Sequence, residues 1–458
     1  MNIILLSTYD LGHQPFGLAS PAAWLRAAGH AVRCVDLAVC GLPAQAVREA
    51  DLVAFYLPMH TATRLAVRAI EKIKQLNPQA HLCCYGLYAP LNDSYLRKIG
   101  VATVLGGEFE AALTALAARL SNGDSAEQKE PLISLERLKF MTPDRAGLPA
   151  IQRYGRLRVN GDEKLAAYTE ASRGCKHLCR HCPIVPVYAG AFRVVQQDVV
   201  LDDIRQQIAA GAAHITFGDP DFFNGPTHAI RIVEALHRVF PGVTYDVTIK
   251  IEHLRKHREL LPVLRQTGCL FVTSAVESVD DRVLEKLDKG HTRADFYEVA
   301  AAFREVDLTL APTFIPFTPW TTRDGFCDLL RVMAALDLVE NVAPVQLALR
   351  LLIPAGSRML ELDEIRAIVS DYDEAALLYR WRHQDPGIDD LAAQVFRLVD
   401  EAQKAGRSRR EIFSEVWQLA QHEPLPKNFD RPARAAIPQM SEPWYCCAEP
   451  SQEQLAFV

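Results

Sequence analysis

The chain has 458 residues, a formal charge of −6 and 49% hydrophobic residues, which suggests about three domains with ample material for buried cores. The mild acidity and the lack of basic blocks argue against a nucleic-acid partner. No apolar run is long enough to span a bilayer and the N-terminus has no signal-peptide pattern, so the eleven cysteines fit a reducing cytoplasm better than a disulfide scaffold.

Residues 1–122 alternate strand and helix patterns. Short apolar runs at Ile3–Leu6, Ala31–Leu37, Leu52–Tyr56, His81–Tyr85 and Val101–Leu105 read as buried strands. Ser20–Ala28, Thr61–Leu76 and Glu110–Leu120 read as helices, with Ala62, Leu65, Ala69, Ile73 and Leu76 forming one apolar stripe. The pattern predicts an α/β domain with a doubly wound (Rossmann-like) parallel sheet, which binds ligands beyond the strand carboxyl ends. One such end, Gly106-Gly107-Glu108-Phe109-Glu110, resembles the GExE turn of cobalamin-binding domains fused to radical enzymes. That resemblance implies cobalamin as a cofactor, with Gly107 and Glu108 at its site. The DxHxxG motif that supplies an axial histidine is missing, because Asp10-Leu11-Gly12-His13 has other spacing. Members of the family that lack it bind cobalamin without a protein ligand. The alternative is a domain that kept the fold and lost the ligand. His13 and His60 read as surface or packing histidines. Residues 123–165 read as a polar, turn-rich linker followed by a connecting segment.

A CxxxCxxC run follows, with Cys175, Cys179 and Cys182 in Arg173-Gly174-Cys175-Lys176-His177-Leu178-Cys179-Arg180-His181-Cys182. Three thiolates this close can converge on one metal centre, and a 4Fe–4S cluster held by three ligands keeps one iron open. A tetrahedral zinc site using His177 or His181 is the alternative, but a second cysteine knuckle is absent. The spacing is the signature of radical S-adenosylmethionine enzymes, and the chain resembles that superfamily over residues 1 to about 355. The resemblance implies that the open iron chelates S-adenosylmethionine, which is cleaved to a 5′-deoxyadenosyl radical with one electron from a donor such as flavodoxin or ferredoxin.

Residues 166–355 repeat strand and helix with one polar face per strand. Asp246, Thr248, Lys250 and Glu252 alternate with apolar neighbours, as do Thr273, Ala275 and Glu277, and Gln346, Ala348 and Arg350. Polar inward faces suit a partial (β/α)6 barrel with a wet lumen. By the same resemblance, His181 stands where an aromatic ring packs near the adenine, and Phe217-Gly218-Asp219-Pro220-Asp221 where the family holds the methionine amino group. Gly218 and Asp219 are therefore expected at the cofactor. Glu277-Ser278, followed by Leu284 and Lys289-Gly290-His291-Thr292, resembles the family's ES…L…KG.T segment, which places Glu277 and Ser278 at the ribose or carboxylate.

Residues 356–458 read as a helical C-terminal extension, with stripes Leu362, Ile365, Val369 and Leu391, Val395, Leu398. Its end, Trp444-Tyr445-Cys446-Cys447-Ala448-Glu449-Pro450, resembles radical enzymes named for a CUAEP/CCAEP tail. That implies redox or soft-metal chemistry at Cys446 and Cys447, taken here as catalytic thiols; a tail with two incidental cysteines is the alternative. Cys34, Cys40, Cys83, Cys84, Cys269 and Cys327 read as core residues. The leading function is a cobalamin-dependent radical methyltransferase on a small or unidentified substrate. A cobalamin-independent rearrangement or carbon–sulfur chemistry, and a non-catalytic cobalamin- or metal-binding protein, are the alternatives.

Overall fold

The computed structural model describes residues 1–124, 128–421, 423–426, 429, 437–442 and 449. Cys446 and Cys447, read as catalytic from the tail motif, lie outside the described residues. The first sheet is built from β1 (Asn2–Ser7), β2 (Ala31–Asp36), β3 (Leu52–Tyr56), β4 (His81–Tyr85) and β5 (Thr103–Gly107), with β6 (Ile133–Ser134) at its edge. Its order is β2-β1-β3-β4-β5-β6, and every pairing is parallel. The five expected strands are present, and the fifth starts at Thr103 instead of Val101.

Both faces of this sheet are covered, which is why its strands read as unbroken apolar runs. Ile4, Leu6, Val53, Phe55 and Cys84 pack with Leu65, Ala69 and Ile73 of the helix His60–Leu76. Ile3, Leu5, Ala54, Cys83 and Tyr85 pack on the opposite side with Leu18, Ala22, Leu113 and Leu116 of the helices Phe16–Ala27 and Phe109–Ser121. Cys40 is the exception among the cysteines assigned to the core: it is half-exposed, and Arg153 Nη1 approaches its sulfur at 3.5 Å.

The second sheet takes in β7 (Arg156–Val159), β8 (Asp162–Thr169), β11 (His214–Phe217), β12 (Thr244–Thr248), β13 (Cys269–Glu277), β14 (Thr309–Phe314) and β17 (Gln439–Met440). A separate small ribbon pairs β9 (Ser172–Gly174) with β10 (Phe192–Val194). The order β14-β13-β12-β11-β8-β7-β17 is parallel from β8 to β14 and antiparallel at β7 and β17. Helices cover its outer face, and the apolar outward side chains Ile215, Val247 and Val272 lie in the largest core.

Three boundaries differ from expectation. The sheet begins at Arg156, inside the segment read as a linker, because Asn160 and Gly161 both take positive φ (53° and 85°) in a tight hairpin. Asn-Gly is the preferred pair for such a turn. The sixth strand expected around Gln346 shrinks to one parallel bridge, Phe317 with Arg350, because Pro344–Leu347 coils into a 3₁₀ turn. Lys250 and Glu252 leave the strand as well, since β12 ends at Thr248 and a helix starts at Ile251.

The extension is only partly helical. Helices Pro386–Lys404 and Arg409–Ala420 are present, but Val369 lies in a hairpin of β15 (Val369–Asp373) and β16 (Leu378–Trp381). Tyr372, Tyr379 and Trp381 favour strands, and Tyr372 packs edge-on against Tyr379 at 5.2 Å.

Candidate active site at the junction of the two sheets

The carboxyl ends of both sheets open into one cavity of about 380 Å³. Leu11, Pro58, Met59 and Tyr88 line it from the first sheet, and Cys175, Cys179, Cys182, Glu277 and Asp246 from the second. The cysteine loop springs from the β9–β10 ribbon. Gly174 stands before it at φ +74°, where a Cβ would lie 2.4 Å from the Tyr188 ring and 2.5 Å from the Ala191 carbonyl oxygen, so only glycine fits. The loop is pinned by Lys176 N donating to Asn224 Oδ1 (3.1 Å) and Arg180 N donating to the Leu287 carbonyl (2.9 Å).

None of the nine described cysteines is in a disulfide with another described residue. Burial, then the Asp221 carboxylate, pushes the Cys175 thiol up to about 11, and metal binding would displace that proton. Three thiols on one pinned loop facing a cavity suit the ligand set of an iron–sulfur cluster. Cys175, His177 and Asp221 also offer ligand atoms within 4.8 Å of one another. However, Asp221 Oδ2 is already shared by His177 Nε2 (3.2 Å) and His253 Nδ1 (2.7 Å).

Glu277 closes β13 at a bulge with φ +67°, a left-handed conformation that costs a non-glycine residue on the order of 1–3 kcal/mol. Its Oε1 lies 3.2 Å from His181 Nε2 and 3.3 Å from Lys289 Nζ. Burial opposes its ionisation, but Lys289 and His181 outweigh burial and hold the carboxyl at about 2. Glu277, His181 and Lys289 thus stand together beside the cysteines, with Lys289 in electrostatic reach of Cys179 and Cys182.

The other expected cofactor residues fare differently. Asp219 is buried; Oδ1 accepts from Ser172 Oγ (2.6 Å) and Oδ2 from Ala171 N (2.9 Å), while burial raises it to about 7. Gly218 lines the cavity, but its bare Cα is taken up by Tyr168, whose Oη would lie 1.8 Å from a Cβ. Ser278 does not line the cavity; its Oγ accepts from Asp280 N at 3.1 Å.

The GExE turn also does something other than expected. Gly107 reaches the cavity, but its positive φ and the Ser134 carbonyl, 2.1 Å from where a Cβ would sit, already require glycine. Glu108 and Glu110 turn away from the cavity and are fully buried. Arg173, two residues before Cys175, reaches Glu110 (2.9 and 2.7 Å), Glu108 (3.2 Å) and Glu170 (2.6 Å). The rings of Phe16, Phe109 and Phe140 lie 5.0–5.6 Å from the same guanidinium. Burial raises Glu108 to about 7, against the pull of Arg173. This interdomain cluster went unread in the sequence, although Arg173 stands in the cysteine motif itself.

Two groups from the loop after β1 face the cavity. Asp10 Oδ2 and His13 Nδ1 are buried without hydrogen-bond partners among the described residues. Burial raises Asp10 well above the usual carboxylate range and lowers His13 to about 4, which leaves the imidazole neutral at neutral pH. Neither His13 nor His60 is a surface residue: His13 packs on Tyr168 at 5.1 Å and His60 on Tyr88 at 6.3 Å.

The model of the Radical SAM superfamily matches residues 169–332, the stretch that holds the cysteine loop and strands β11–β14. Residues 169–332 are thus similar to a Radical SAM domain. That domain implies a 4Fe–4S cluster and S-adenosylmethionine. The hopanoid C-3 methylase of Methylococcus capsulatus is 25% identical over 321 residues, 67% of this chain and 62% of that protein. The bacteriochlorophyllide d C-12(1)-methyltransferase of Chlorobaculum tepidum is 25% identical over 135 residues, 29% of each chain. The chain therefore spans less than two thirds of these relatives' lengths.

Among solved structures, the fold is similar to OxsB, a cobalamin-dependent S-adenosylmethionine radical enzyme with aqua-cobalamin and S-adenosylmethionine bound. The TM-score is 0.69 at 14% identity, covering 87% of this chain and 66% of that one. The radical S-adenosylmethionine methyltransferase TsrM of Kitasatospora setae, with cobalamin and a [4Fe-4S] cluster bound, gives a TM-score of 0.58 at 15% identity over 73% of this chain and 70% of that one. Among the described residues, no helix is long and apolar enough to cross a membrane.

Proposed function

We propose that this chain is a radical S-adenosylmethionine methyltransferase that also binds cobalamin, in the cavity between its two sheets. One observation carries the reading: a single cavity joins the three-cysteine loop to the carboxyl ends of a parallel, doubly wound sheet. Cys175, Cys179 and Cys182 would hold the cluster, and Glu277, His181 and Lys289 would receive the polar end of S-adenosylmethionine. Bound together, these cofactors supply hydrogen abstraction and a transferable methyl group; the protein supplies position and electrostatics. Gly107, Leu11, Pro58, Met59 and Tyr88 form the corrin side. The orphaned Asp10 Oδ2 and His13 Nδ1 suit a ligand rimmed with carboxamides, and no axial protein ligand is invoked.

Gly218 and Asp219 shape the floor beneath the methionine end, and Asp219 acts through Ser172 and Ala171. The CCAEP-type tail is part of the reading. Among the described residues near it, Glu442 lines the cavity with its Oε1 2.5 Å from Tyr9 Oη, and Glu449 pairs with Arg64. Cys446 and Cys447 would act as redox or soft-metal thiols. Reducing equivalents would come from flavodoxin or ferredoxin in the cytoplasm.

The test is anaerobic reconstitution with iron and sulfide, then reductant, S-adenosylmethionine and cobalamin, with 5′-deoxyadenosine and S-adenosylhomocysteine quantified by mass spectrometry. Cobalamin-dependent products that vanish in Cys175→Ala support the reading. Zinc in the purified protein and no 5′-deoxyadenosine would refute it.

A further inference from the structure

The cavity also has a polar lining that the cofactor residues above do not use. Thr216, Asp246, Thr273, Thr313, Gln346 and Arg409 form it. Arg409 comes from outside the barrel, as the first residue of the helix Arg409–Ala420. Its position is set firmly: Ser408 caps the helix, with Ser408 Oγ and Glu411 forming a reciprocal capping box.

The surroundings of Arg409 are unusual. Among the described residues its guanidinium makes one hydrogen bond, Nη1 to the Glu340 carbonyl oxygen at 2.7 Å, and no carboxylate lies within 4.0 Å of it. The Glu340 carboxylate is instead 3.6 Å from the neighbouring Arg410. Burial pulls the Arg409 guanidinium down to about 10, which leaves it cationic at neutral pH. A cation in the first turn of a helix also opposes the helix dipole. A half-buried fork of donors that no described carboxylate contacts, with Glu340 acting on it only from beyond ion-pair distance, is a feature the fold itself does not explain.

Asp246 lines the same cavity. Its Oδ1 takes both protein contacts, from His214 Nε2 (2.9 Å) and Thr216 Oγ1 (2.7 Å). Oδ2 has no hydrogen-bond partner among the described residues and remains for a ligand. His214 is fully buried, and its other nitrogen is 2.9 Å from Thr244 Oγ1, so the Asp246 side chain is held in orientation from behind.

We infer that this polar lining is the substrate subsite, and that the substrate is a small polar molecule carrying an oxyanion, bound by Arg409, and an amine, bound by Asp246. The inference rests on the proposed function for the word substrate, but the site itself does not depend on the cluster. An oxyanion is the natural partner of a planar, bidentate guanidinium. A carboxylate and a phosphate share that chemistry. Sterol-like or tetrapyrrole substrates, which present broad apolar faces, would leave both groups buried and unpaired.

The test uses the full-length protein as purified, without cofactors, and ligand-observed NMR titrations. The probes are acetate, inorganic phosphate and straight-chain ω-amino acids from glycine upward. The expected result is saturable binding of one oxyanion to the unaltered protein, about tenfold weaker in Arg409→Gln and unchanged in Arg410→Gln. Preference for acetate over phosphate identifies a carboxylate, and the reverse a phosphate. One amino acid length should bind more tightly than acetate, and Asp246→Asn should remove that advantage alone. Equal binding to the unaltered protein and Arg409→Gln, or equal losses in both arginine variants, would overturn the inference. If circular dichroism shows Arg409→Gln unfolded, Arg409→Lys replaces it; it keeps the charge without the fork, and intermediate binding is expected. Failure to form 5′-deoxyadenosine would sink the radical reading while leaving these titrations interpretable.

Discussion

Glu108 offers a quantitative test of the interdomain cluster. Its side chain is fully buried beside Arg173, Glu110 and Tyr188, and burial places its folded-state value at about 7 against 4.5 for an ordinary glutamate. A group raised in this way contributes its full stability below pH 4.5 and loses it as pH rises through 7. At about 1.4 kcal/mol per unit, ionising Glu108 in place should cost on the order of 3 kcal/mol across that window. Glu108→Gln keeps the shape and removes the proton. Relative to the unaltered protein, the variant should therefore gain roughly 3 kcal/mol of stability between pH 4.5 and 8. Urea unfolding of both proteins at several pH values measures the difference, and the other titrating groups cancel in the comparison. If the two curves run parallel, Glu108 is already ionised at neutral pH and the reasoning fails.

Arg173→Met removes the one cation among three buried carboxylates. It should destabilise the protein by about 3–5 kcal/mol, read by denaturant midpoint, with the deficit growing as pH rises. Glu277→Ala should leave iron content after reconstitution unchanged while abolishing 5′-deoxyadenosine, because it removes the anion that holds His181 and Lys289 together. Gly218→Ala forces a methyl group into the Tyr168 phenol and should cost about 1–3 kcal/mol, most of it recovered in the double variant with Tyr168→Ala.

Much of the fold could be read from the chain because strands buried on both faces leave long apolar runs, as in Leu52–Tyr56, and because parallel strands alternate with helical stripes. The cysteine motif was legible for a different reason: one cluster needs its three ligands close together. The misreadings share a cause. Glu108 looks like a cofactor group in one dimension, but its partner Arg173 belongs to another element. Arg409 left no signal at all, since nothing local distinguishes it from Arg407 or Arg410. Val369 followed a helical stripe by chance of spacing, and the aromatic residues around it decided for the hairpin. The Asn160-Gly161 pair, by contrast, was a turn signal in plain view within the presumed linker.

The edge strand of the second sheet has a consequence for how this molecule must be made. β17 pairs with β7, Gln439 opposite Arg158 and Met440 opposite Leu157, so partners from the middle and the far end of the chain meet along one ladder. While the ribosome is still translating the helices between them, β7 offers an unsatisfied row of backbone groups to any neighbouring nascent chain. Trimming the protein before Gln439 would keep every cluster cysteine yet leave that row permanently open. Such a fragment should self-associate, so shortened versions made to simplify handling are the ones to watch for aggregation.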